Sequence, residues 1–151
     1  MKKVYSYALA VLIMSIVFSC KKHRDTKTPS PELTGYWELV ETSGSMPPKT
    51  YPEGNGNILV LNGISYLSYQ NGQLVKTGNY TTMDDNTVEE NICLIVPDDQ
   101  FTRRIVFDTA YSATKKFYNI ADDKLSITFG CYALDGGQKL TYRRMQPITI
   151  D

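Results

Sequence analysis

From Gly35 onward, apolar and polar side chains alternate in short runs, and the runs are broken by Asn-Gly, Asp-Asp and Asp-Gly-Gly. The pattern is clearest where Leu125, Ile127, Phe129, Cys131 and Ala133 fall on one side of Ser126, Thr128 and Gly130. A period of two belongs to a strand with one face on a core and the other toward water. The runs are rich in Val, Ile, Tyr, Thr and Phe, which favour strands. Together these signals predict strands near 35–42, 57–62, 64–70, 73–82, 87–96, 101–109, 115–121, 124–134 and 138–146. In the fifth of these, Ile92, Leu94 and Val96 alternate with Cys93 and Ile95, which predicts a strand covered on both faces. No segment carries a helical period.

The connections predict the order in which these strands pair. Asn71-Gly72 supplies two residues tolerant of positive φ, as a type I′ hairpin requires, so the flanking strands should be antiparallel neighbours. Asn62-Gly63 is either a second tight turn or a kink within one bent strand. Asp122-Asp123 and Asp135-Gly136-Gly137 predict two more hairpins. A meander of this kind must bury one face and manage its edges. The expected fold is therefore all-β, an antiparallel up-and-down barrel of about eight strands. A two-sheet sandwich is the competing architecture.

The N-terminus has a different pattern. Lys2 and Lys3 precede an apolar run from Tyr7 to Phe18 that stops at Val17-Phe18-Ser19-Cys20. About 12 apolar residues fall short of the ~20 that a spanning helix needs and match a secretion signal. Val17-Phe18-Ser19-Cys20 resembles the lipobox of bacterial lipoproteins. That resemblance implies removal of residues 1–19 and acylation of Cys20, with two or three chains giving a stable membrane anchor. Residues 20–33, with Pro29 and Pro31, read as a flexible tether, and residues 34–151 as one domain. Cys20-Lys21-Lys22 also resembles the start of lipoproteins of the Bacteroidetes. Lys21 stands where enteric lipoproteins retained at the inner membrane carry aspartate, and no acidic cluster follows. The expected location is the cell envelope, on the outer membrane facing the periplasm.

Charge and composition narrow the function. Removing residues 1–19 leaves 14 basic and 16 acidic side chains, interspersed along the chain. A non-specific phosphate binder needs a basic surplus, so nucleic acid is not an expected partner. The single histidine, His23, falls in the tether, which leaves the domain without imidazole for catalysis or metal binding. The doublets Asp84-Asp85, Glu89-Glu90, Asp98-Asp99 and Asp122-Asp123 read as strand-end and turn residues rather than metal ligands or an acid-base pair. No enzyme, metal or cofactor is expected. Cys93 and Cys131 are an even pair in an oxidising compartment, either bonded or packed as two small apolar thiols.

Leu33-Thr34-Gly35-Tyr36-Trp37-Glu38-Leu39, then Asn71-Gly72 with Gly78-Asn79-Tyr80, then Lys124-Leu125-Ser126-Ile127 with Leu140-Thr141-Tyr142-Arg143-Arg144, form an ordered set. The set resembles the lipocalin-like domains of Bacteroidetes lipoproteins and covers most of residues 33–146. The resemblance implies that Trp37 plugs one end of the barrel under an arginine of the last strand, Arg143 or Arg144. It also implies a cavity, whose wall is expected to include Tyr66, Leu67, Tyr69 and Tyr80. The expected function is a membrane-anchored binder of a small apolar or amphipathic ligand. The alternative is a lipoprotein with a filled core that docks a protein of the envelope through an edge strand or the Gly44–Asn57 connection.

Overall fold

The computed structural model describes residues 31–44, 47–96 and 101–146. Cys20, the signal segment and nearly all of the tether lie outside them. Nine strands follow a short 3-10 turn at Pro31–Leu33. They are β1 (Gly35–Gly44), β2 (Lys49–Thr50), β3 (Ile58–Asn62), β4 (Ser65–Gln70), β5 (Gln73–Asp84), β6 (Arg103–Phe107), β7 (Lys116–Ala121), β8 (Lys124–Phe129) and β9 (Gln138–Met145).

Every pairing is antiparallel and joins chain neighbours, apart from β1 with β3 and the closing pair, in which β9 returns to β1 from Tyr36 opposite Met145 to Gly44 opposite Gln138. Eight strands thus close a barrel, and β2 adds two residues beside Glu41 and Thr42. Closure leaves no open edge along the wall, which a two-sheet sandwich would have kept.

Turn chemistry explains the hairpins. Asn71 and Gly72 have φ of 51° and 80°, and Asp122 and Asp123 have 51° and 56°, so both turns take the two positive values that match strand twist. Gly63 begins a true turn, because Asn62 pairs with Ser65 directly across it. A bulge between Leu39 and Glu41 bends β1 where its partners change from β3 to β2.

The interior cluster joins Leu33, Trp37, Leu61, Tyr66, Tyr80, Ile105, Tyr118, Leu125 and Ile127. Leu33 is fully buried in it, so the residue that ends the expected tether already belongs to the domain. A second cluster of Val88, Ile92, Phe101 and Phe117 lies outside the wall. Phe117 and Tyr118 are consecutive on β7 and belong to different clusters, as alternation demands.

That outer cluster corrects the expected strand at 87–96, where a short helix, α1 (Val88–Ile92), stands instead. Val88 and Ile92, one helical turn apart, both face Phe101 and Phe117. The Asp85 carboxylate accepts from the Thr87 amide (3.0 Å) and hydroxyl (2.6 Å), which turns the chain just before the helix. The strand expected at 124–134 also ends early, at Phe129, and a 3-10 turn at Tyr132–Leu134 follows. Cys93 after the helix is bonded to Cys131 after β8, with their Cα atoms 5.0 Å apart, so the β5–β6 connection is tied across the wall. No helix among the described residues is long and apolar enough to cross a membrane.

Candidate functional site

The barrel has one sealed end and one open end. Trp37 is fully buried and its indole N–H donates to the Leu33 carbonyl at 2.8 Å. Arg144 lies opposite Trp37 on β9, and its guanidinium carbon sits 4.1 Å from the centre of the indole ring. Two of its N–H groups donate to the carbonyls of Thr34 (3.0 Å) and Glu32 (2.7 Å). One side chain therefore covers the ring and ties down the entry turn, with charge-assisted bonds to carbonyls that the 3-10 turn leaves free.

Of the two arginines expected over Trp37, only Arg144 is there. Arg143 points to the other face because β9 alternates, and it pairs there with Glu38, whose side chain is fully buried. Glu53 approaches the same guanidinium at 3.1 Å. The connection carrying Glu53 is pinned to the wall by the Asn55 amide on the Leu39 carbonyl (2.9 Å) and by Gly72 N–H on Gly56 O (2.9 Å).

At the other end, β6 and β7 pair only from Arg103 to Ile105, and residues 108–115 curl away as a rim. Inside this opening lies a cavity of about 380 Å³. Its body is Leu59, Ile105, Phe107, Ile127, Phe129, Leu140 and Tyr142, and its mouth carries Tyr66, Lys76, Asp108 and Lys116. Burial, and then the neighbouring Tyr51, pushes the Tyr142 hydroxyl up to about 12.

The mouth is an ordered polar group. Asp108 accepts from the Tyr66 hydroxyl at 2.8 Å and pairs with Lys76 at 2.8 Å. These two donors hold its carboxyl below the usual range, Lys76 contributing more than Tyr66. Burial first, and the bond to Asp108 second, raise Tyr66. Lys116 sits across the opening with its ammonium 4.6 Å from the centre of the Phe129 ring. Burial, followed by repulsion from Lys76, holds that ammonium below the ordinary lysine range.

The rim is braced from outside. Arg104 donates to the Tyr111 carbonyl at 2.8 Å and faces Asp85, which also pairs with Lys115 at 2.9 Å. Burial works to raise the Asp85 carboxyl, but the Thr87 hydroxyl, Lys115 and the Thr87 amide together outweigh it, and the group lies below its ordinary value. Among the described residues no three His, Cys, Asp or Glu side chains converge as metal ligands do.

The four expected wall residues separate. Tyr66 lines the cavity. Tyr80 is buried in the interior cluster instead, with its hydroxyl pushed up to about 12 by burial and then by Tyr118. Leu67 lies between Tyr66 and Ser68, both of which line the cavity, so alternation turns it to the opposite face. A bulge follows Ser68, and Tyr69 lines a smaller adjoining space of about 200 Å³ that shares Leu59, Ser68 and Tyr142 with the main cavity. Phe107 and Lys116 were not singled out in the sequence, and Phe129 was read there only as part of the apolar face of its strand. The available signal was alternation on β7 and β8, which places Lys116 on the same face as Tyr118, and Phe129 on that of Ile127.

No family model, curated protein or solved structure matches the chain.

Proposed function

We propose that this is a lipocalin-like binding protein of the cell envelope, held at the outer membrane by acyl chains on Cys20, which carries a small apolar or amphipathic molecule in the open end of its barrel. The observation that carries the reading is the mainly apolar cavity of about 380 Å³ inside a barrel whose opposite end is stoppered. Small-molecule sites are typically concave, about 300–1,000 Å³, mainly apolar, and marked by a few convergent polar groups. Tyr66, Lys76, Asp108 and Lys116 are such groups. The Trp37–Arg144 stopper, made by the first and last strands, is the feature that supports the lipocalin-like assignment. A cavity of this size speaks against the alternative of a filled core that only docks an envelope protein.

Native mass spectrometry of the protein purified from its own host tests the reading. A retained non-covalent molecule is expected, and it should be lost from Ile127→Trp, which fills the cavity. A folded protein that carries nothing and takes up no apolar or amphipathic compound would overturn it. Cys20→Ala is expected to leave the N-terminus without acyl mass, and an unchanged mass would remove the anchor.

A further inference from the structure

The cavity contains one cation that nothing among the described residues neutralises. Lys116 opens β7, opposite Ile105 and Phe129, and alternation turns it inward with Tyr118 while Phe117 faces out. Its ammonium rests on the Phe129 ring among cavity-lining side chains. Among the described residues it has neither a carboxylate nor a hydrogen-bond acceptor. The carboxylate nearest the mouth, Asp108, already holds Lys76 and the Tyr66 hydroxyl. Arg104 is occupied by Tyr111 and Asp85. Asp108 and Lys76 cancel, so the opening keeps a net positive charge above an apolar pocket.

A partly desolvated cation without a counter-ion is unfavourable, and an aromatic face compensates it only in part. An anion entering with its ligand would restore the balance with a short, charge-assisted bond. We propose that Lys116 anchors the anionic head of a single-chain amphiphile whose apolar tail lies among Leu59, Ile105, Phe107, Ile127 and Tyr142. This rests on the binding reading above and narrows its ligand from apolar or amphipathic to anionic and amphipathic.

The same geometry assigns the other mouth groups a supporting part. The Tyr66–Asp108–Lys76 chain fixes one side of the opening and keeps the Asp108 carboxylate from pairing with Lys116. Lys76 is 60 % exposed and stands toward solvent, where it adds to the attraction for an approaching anion without closing on it.

The test compares dodecanoate, dodecanol and dodecyltrimethylammonium, which share a chain and differ in head charge, by native mass spectrometry of the purified full chain. Dodecanoate is expected to be retained at least tenfold better than the other two. Lys116→Met keeps the apolar stem and removes the charge, so it should abolish that preference. Lys116→Arg should preserve the preference, which guards against a variant that merely folds poorly. Dodecyl phosphate in the same assay separates a carboxylate head from a phosphate one, and tighter retention of either over dodecanol supports the anchor. Equal retention of all heads, or an undiminished preference in Lys116→Met, would overturn the anchor while leaving the binding reading intact. Uptake of none of the probes by folded protein would overturn both.

Discussion

Arg144 and Trp37 face each other across the seam where the barrel closes, with the guanidinium 4.1 Å from the indole ring and hydrogen-bonded to the carbonyls on either side of Leu33. One contact therefore joins the first strand, the last strand and the turn that stoppers the barrel. Arg144→Met should destabilise the fold by about 1–3 kcal/mol, the sum expected for charge-assisted bonds and a ring contact. Trp37→Ala should remove about 3–5 kcal/mol as a large buried side chain. Arg144→Lys should recover only part of the loss, because an ammonium cannot lie flat on the ring and reach both carbonyls. Urea unfolding followed by circular dichroism measures all three, and an Arg144→Met protein as stable as the parent would rule the contact out as a closure.

The Cys93–Cys131 bond spans 38 residues and ties helix α1 to the end of β8. Loop-closure entropy for that span predicts a loss of about 4 kcal/mol on reduction or in Cys93→Ala/Cys131→Ala. The loss should be accompanied by faster amide exchange across Val88–Ile92. Equal unfolding midpoints with and without reductant would contradict this.

Stability should fall at both extremes of pH, for separate reasons. Asp85 and Asp108 are both held below their ordinary value of 3.8 in the folded state. The unfolded chain takes up these protons first, so the stabilisation is complete above that value and is lost as pH falls through the lower folded values. Tyr80 and Tyr142 are raised from 10.0 to about 12, so above 10 the unfolded chain ionises first and stability declines as pH rises. Asp85→Asn should lower stability at neutral pH and flatten the acid limb in a denaturant series. An acid limb identical to the parent's would exclude Asp85 as its source.

Glu38 is fully buried and its carboxylate is bound by Arg143. Removing the arginine alone strands a buried carboxylate, whereas replacing both partners with apolar groups strands nothing. Arg143→Met is therefore expected to destabilise more than Glu38→Met/Arg143→Met. A double-mutant cycle on unfolding free energies checks the order, and the reverse ranking would mean that the pair is not coupled.

The parts of the site differ in how far local sequence could place them. The stopper role of Trp37 was implied only by the resemblance, and the choice between Arg143 and Arg144 required the β1–β9 register, since neighbours on a strand face opposite ways. The cavity wall shows the same limit. Tyr66, Leu67, Tyr69 and Tyr80 are all good strand residues, and only the register that turns Leu67 away and the bulge after Ser68 that moves Tyr69 to the adjoining space separate the lining from the rest. Alternation on β7 put Lys116 on the Tyr118 face, but nothing local marked it as unpaired. Its significance comes from Asp108 being occupied by Lys76 and Tyr66, residues that lie far from it in the chain.

The all-β class and the order of hairpins among the eight barrel strands were written in the sequence, because alternation and positive-φ turns are local properties that each segment carries with it, whereas the two-residue β2 was not. Helix α1 was not, since five residues are too few for a period of 3.6 to register, and the apolar run Ile92, Leu94, Ile95 and Val96 resembles a strand until Phe101 and Phe117 offer Val88 and Ile92 a surface. Closure, the side on which each arginine acts, and the unpaired charge in the cavity were decided by tertiary structure alone. Each depends on which distant strand lies opposite, and a one-residue change of register would turn every one of those side chains to the other face.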